Sequence, residues 1–192
     1  MPTNTNDASE ILIAGTGQLY VAPWSTSLTL PEEPGTVPGN GLSTAFVDVG
    51  YTTEDGVSLS LDRDSQSVMA WQSTRSVRRF NASQVESFTA TLLQWNETNL
   101  ALAFGGGEVT LTSADNYRYD FPEAGEVDER AVILDWVDDT RNYRLVIPRT
   151  IVIDSTEVAL ARTAPSTLPI TFEAVAEAPY ILTDDDAFSG IS

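Results

Sequence analysis

Apolar and polar positions alternate in short runs along most of this chain. In the clearest run Val57, Leu59 and Leu61 alternate with Ser58, Ser60 and Asp62. In a second, Phe88, Ala90 and Leu92 alternate with Ser87, Thr89 and Thr91. Successive side chains of a strand point to opposite sides, so period-two alternation predicts strands that bury one face. The same reading predicts strands over 46–51, 109–112, 117–121, 131–137, 143–147, 151–153, 158–161 and 168–175. Ile11 and Ile13, then Leu19 and Val21, predict a first hairpin turning at Gly15-Thr16-Gly17. Asp55-Gly56 predicts a hairpin turn ahead of Val57, and Asp138-Asp139-Thr140 predicts another. Pro148 interrupts its run and predicts an edge or a bend, because proline has no N–H for a ladder. The Pro-, Gly- and Thr-rich stretch 25–42 predicts an exposed loop.

One segment breaks the strand rhythm. Residues 97–104 predict a short helix: Asn96 suits the N-cap, and Glu97 suits the positive helix end. Leu100, Ala103 and Phe104 share a face, expected to be buried, and Gly105-Gly106-Gly107 ends the helix. No linker or repeat divides the sequence. A single domain over 1–192 is expected, with a flexible arm at 1–10 and an acidic tail at 177–192 that hangs free or docks weakly.

Between the two clearest strands lies a long connection, 63–81, with Arg63, Arg75, Arg78 and Arg79 against one acid, Asp64. Its charge of +3 stands out in a chain of net charge −18. The natural complement is 120–139, where Asp120, Glu123, Glu126, Asp128, Glu129, Asp135, Asp138 and Asp139 outweigh Arg130 to give −7. A basic segment in so acidic a chain is expected to touch another copy of the same protein.

Composition narrows the chemistry. At 192 residues and 42% apolar, the chain can build a sizeable core. It has no Cys, no His and no Lys; all ten basic residues are arginine. Disulfides, thiolate metal sites, histidine triads and lysine Schiff bases are therefore excluded. The negative charge argues against nucleic-acid binding, which needs a basic footprint. Salt adaptation and a high-GC source both fit the missing lysine. No run approaches the roughly 18 apolar residues of a membrane span, and the polar start MPTNTNDASE has no targeting character.

The isolated motifs carry little. Gly15-Thr16-Gly17 lacks the third glycine and the βαβ setting of a phosphate loop. Asp184-Asp185-Asp186 and Asp138-Asp139 offer oxygens to calcium but lack EF-hand spacing, so solvated charge is the simpler account. Asn81-Ala82-Ser83 and Asn96-Glu97-Thr98 match glycosylation sequons that arise by chance. No carboxylate pair marks a glycosidase, so no catalytic residue, cofactor or metal is assigned.

Several blocks together resemble the tail tube proteins, or major tail proteins, of long non-contractile-tailed phages. They are VDVGYTTEDGVSLSLDRD (47–64), MAWQ (69–72), the Arg78–Phe80 step, TLLQWNETNLALAFGGG (91–107), ERAVILDWVDD (129–139), YRLVIPRTIV (143–152) and LPITFEAV (168–175). Their order and spacing carry the resemblance, from about Gly15 to Val175. It implies a mainly β fold, a β-sandwich or barrel-like tail tube domain with one short flanking helix and a long inter-strand stacking loop. Six copies would form a ring, with strands joining the next copy's sheet, and rings would stack into a hollow tube for the genome. Implied partners are the chain itself, a tape measure protein, a tail terminator and distal tail or baseplate proteins. DNA would pass without specific binding, no membrane is involved, and assembly is expected in the host cytoplasm. Other virion subunits, such as a head decoration or tail terminator, and a β-sandwich surface or adhesion module are the alternatives.

Under that reading Arg63, Arg75, Arg78 and Arg79 contact the adjacent ring. The hydroxyl faces, Ser58, Ser60, Ser87, Thr89 and Thr91, line the lumen, extended by Thr171 and Glu173, while Ile170 and Phe172 face the core. Short hydroxyl side chains keep a bore wide and offer no cation to trap phosphate.

Overall fold

A computed structural model describes residues 8–123, 125, 127–154 and 157–188. Over them the chain is mainly β, and its strand pairs are antiparallel. The strands are β1 (Thr16–Pro23), β2 (Val47–Asp48), β3 (Thr52–Met69), β4 (Ser76–Leu92), β5 (Glu108–Ser113), β6 (Asn116–Asp120), β7 (Glu129–Asp138), β8 (Arg141–Asp154), β9 (Leu168–Ala174) and β10 (Tyr180–Thr183). The helix α1 is Glu97–Phe104. Residues group into two compact units, each built from separated stretches of chain, so no single linker divides them. Of the described residues, one unit holds 8–51, 129–149 and 177–188; the other holds those between 52 and 128 and between 150 and 176.

In the first unit the strand order is β2-β1-β7-β8, with β10 also paired to β8. Leu19, Tyr20, Val21 and Ala22 are buried in succession, as are Ala131, Val132 and Ile133. Such runs, rather than alternation, mark strands covered on both faces. Tyr20, Ile133 and Val146 form a core cluster packed by Leu30, Leu42, Phe46 and Leu182.

In the second unit the order is β9-β4-β3, with the end of β8 on β9. Here alternation holds on β4 and β9: Phe88, Ala90, Leu92, Leu168, Ile170 and Phe172 are buried. The helix forms where expected. Asn96 Oδ1 accepts from the Asn99 N–H at 2.8 Å, and Gly105 takes a left-handed φ of 72° that glycine adopts without a Cβ penalty. Its buried residues are Asn99, Ala101, Leu102 and Ala103, whereas Leu100 and Phe104 are only half-buried. The expected burial of Leu100 and Phe104 is thus shifted, to a stripe centred on Leu102.

Several expected turns are corrected. No hairpin forms at Gly15–Gly17: Gly17 lies inside β1, and Ile11 and Ile13 are exposed. The strand expected over 46–51 shrinks to Val47–Asp48, paired with β1. Asp55-Gly56 does not turn a hairpin; Gly56, at φ 68°, sits where the β3–β4 register shifts, as in a bulge. The runs on either side of Pro148 form one strand. Pro148 falls between the stretch of β8 that pairs with β10, ending at Val146, and the stretch that pairs with β9, starting at Thr150. The missing N–H costs neither ladder a bond. Residues 158–161 form no strand. Asp138 and Arg141 do flank a tight turn, with Asp139 at φ 54°.

Candidate assembly surfaces

The basic connection is itself a pair of strands. β3 and β4 form a long hairpin, and 63–81 makes up its outer end. No periodicity revealed this, because the end of the ribbon has no buried face. The tip is shaped: the Ser73 N–H donates to the Ala70 carbonyl at 3.0 Å, and Ser73 Oγ donates to the Arg75 carbonyl at 2.8 Å. Val68 pairs with Arg78 and Ser67 with Arg79, so Arg78 and Arg79 point to opposite faces. Arg75, Arg78 and Arg79 are exposed and form no ion pair among the described residues. Arg63 differs, since its Nε donates to Gln84 Oε1 at 2.9 Å. Interleaved with these cations are exposed apolar side chains, Val68, Met69, Trp71, Val77 and Phe80.

Nearer the core the hydroxyl residues fall into cross-strand rows. Ser58 pairs with Thr89 and Thr89 with Thr171; Ser60 pairs with Ser87 and Ser87 with Glu173. Thr89 and Thr171 Oγ1 atoms lie 3.3 Å apart. Thr91 sits opposite Pro169, which ends the hydroxyl pattern there. Asp62 and Asp64 continue the face along β3, so it carries carboxylates and no arginine in this region. The opposite face places Leu59 beside Phe88 and Phe172. Leu59 and Leu61 are nevertheless 53% and 51% exposed, because β3 ends the strand order and nothing in the unit covers it.

The acidic segment 120–139 is less free than its charge suggests. Asp120 pairs with Arg118, Glu129 with Arg149, Asp135 with Arg144 and Asp138 with Arg141. Four of its acids therefore have partners within the chain, and Glu126 lies outside the described residues. The C-terminal acids are engaged too, so the segment from Glu177 is no free tail as far as it is described. Asp184 accepts from the backbone and side chain of Asn142 at 2.7 and 2.8 Å, and Asp185 accepts from Tyr143 and Arg141. These bonds hold both carboxyls below their ordinary range. Among the described residues no group of His, Cys, Asp or Glu is arranged to hold a metal, and no helix is long and apolar enough to cross a membrane. Asn96, in the second sequon, is the helix cap.

A family model described as phage tail tube protein matches residues 4–184. Among solved structures, a chain from the tail of an empty gene transfer agent particle, computed by helical refinement with C6 symmetry, is similar at 13% identity. It covers 72% of this chain and 87% of that one, with a TM-score of 0.40. A chain from the virion of a native gene transfer agent particle is similar at 12% identity, covering 73% and 91%, also at 0.40. No curated protein matches the sequence.

Proposed function

Because the chain belongs to the phage tail tube protein family and is a structural component of the virion tail, we propose that six copies close into a ring and that rings stack into the hollow tube the genome crosses. The observation that carries this is the β3–β4 hairpin, which leaves an 18-residue strand at the end of a sheet and a cationic, apolar tip uncovered. A long exposed edge strand invites pairing with another chain, and closing a ring of sheets removes the hazard. That closure uses a heterologous contact, with a different patch on each side. The tip of the hairpin then reaches the adjacent ring, where Arg75, Arg78 and Arg79 meet acids of the next copy.

The hydroxyl rows face the bore. Duplex DNA carries one negative charge per roughly 1.7 Å, so a wall of Ser, Thr, Asp and Glu offers it nothing to bind. The reading includes a tape measure protein inside the growing tube, and terminator and distal tail proteins at its ends. It assigns the chain no catalytic step.

Electron microscopy of the purified protein tests it. The wild type forms rings or tubes, and Arg78→Glu with Arg79→Glu leaves a folded monomer that does not elongate. Normal polymerisation of the reversed variant would remove the hairpin from the ring-to-ring contact. A wild type that stays monomeric would sink the tube reading itself.

A further inference from the structure

Resting on that reading, we infer that Trp71 is an anchor that seats in a pocket of a neighbouring copy, lined by Trp24, Leu28, Leu30 and Pro148 and rimmed by Glu177. Trp71 is 101% exposed, as open as in an extended chain. It stands on a turn fixed by the Ser73 hydrogen bonds, so its presentation costs little ordering on binding. Tryptophan and arginine dominate the residues that carry binding energy at protein interfaces, and here Trp71 and Arg75 share one tip.

The pocket has about 280 Å³ and mixed walls, with the apolar side chains of Trp24, Leu28, Leu30 and Pro148 beside the polar Ser25, Thr26 and Glu177. That is below the usual size of small-molecule sites and suits one large side chain. Trp24 is held in place: Arg149 lies 4.1 Å over its ring and is itself bound by Glu129 through Nε and Nη2. The surroundings are acidic. Glu177 lines the pocket, and Glu177 and Glu32 both bear on Tyr180 nearby. An arginine beside an aromatic anchor therefore meets a carboxylate in a pocket that holds one aromatic wall, Trp24. That complementarity selects a second copy of this chain as the occupant.

The chain lacks cysteine, which makes the test clean. Gln72→Cys flanks the anchor and Thr26→Cys lies in the pocket wall. After oxidation of assembled full-length protein, the double variant gives a ladder of linked copies, and neither single variant does. Trp71→Ala raises the concentration needed for tube growth at least about tenfold with an unchanged monomer melting temperature, and Trp71→Phe recovers part of the loss. Tubes that give no ladder, or that grow normally with Trp71→Ala, overturn the pocket assignment and leave the tube reading intact. Absence of any polymer from the wild type overturns both.

Discussion

Arg144 grips Asp135 with two sides of its guanidinium fork. Nε donates to Oδ1 and Nη2 to Oδ2, each at 2.7 Å, and the side chains are 1% and 4% exposed. The remaining donors reach across the chain. Nη1 donates to the Glu33 carbonyl at 2.9 Å and Nη2 to the Asn40 carbonyl at 3.0 Å, while Asp135 Oδ2 accepts from the Gly39 N–H at 2.7 Å. The pair thus clamps the loop over 25–42, and with it Leu30 and Leu42 of the core cluster. Removing one partner strands the other as a buried charge, which costs about 3–5 kcal/mol. Asp135→Ala or Arg144→Ala is therefore expected to lower monomer stability by that amount in urea unfolding. Arg144→Lys should also destabilise, because an ammonium cannot reproduce the fork. Wild-type stability in Arg144→Ala would show that the clamp contributes nothing.

The helix gives a graded prediction. Leu102 is fully buried, and Leu100 is half-buried. Leu102→Ala should cost about 2–5 kcal/mol and Leu100→Ala distinctly less. Thermal unfolding of the two variants checks the order; a larger loss at Leu100 would contradict this burial pattern.

Acid should loosen the C-terminal strand. The side chain of Asn142 is the main cause that lowers Asp184, and the Tyr143 hydroxyl is the main cause that lowers Asp185. A carboxyl with a depressed folded pKa stabilises fully above its unfolded value, about 3.9, and loses that contribution as pH falls through its folded value. Amide exchange in Tyr180–Thr183 is expected to accelerate below about pH 4. Asp184→Asn with Asp185→Asn should flatten that dependence, and an unchanged pH profile in the double variant would contradict it.

What the sequence made legible was local. The helix and its caps depend on neighbours within a few residues, so Asn96, Glu97 and Gly105 announced it. The hydroxyl rows were readable because Phe88, Ala90, Ile170 and Phe172 bury one face and leave Ser87, Thr89 and Thr171 on the other. The outer ends of β3 and β4 were not readable. With neither face buried, Arg63–Met69 and Ser76–Asn81 carry no period. The loop over 25–42 reads as free from its Pro and Gly, yet it is held by Arg144, about a hundred residues away in sequence. Leu19 and Val21 did announce their strand, but not that Tyr20 and Ala22 are buried too, nor that its partner is Glu129–Asp138 and not Ile11–Ile13.

The bore assignment predicts protection. A single Cys at Ser60 or Thr89 should react with a bulky thiol reagent readily in the monomer and slowly once tubes have formed. Equal rates in the two states would put the hydroxyl face outside the bore. Arg at both positions should also slow genome delivery, because it would place cations where DNA passes.

The most direct measurement of the central claim is a cryo-electron microscopy reconstruction of polymer grown from the purified protein. The account predicts a hollow sixfold tube in which Ser60, Thr89 and Thr171 line the channel and the β3–β4 tip reaches the next ring. A polymer with no central channel, or a tube with those three residues on its outer wall, would contradict it.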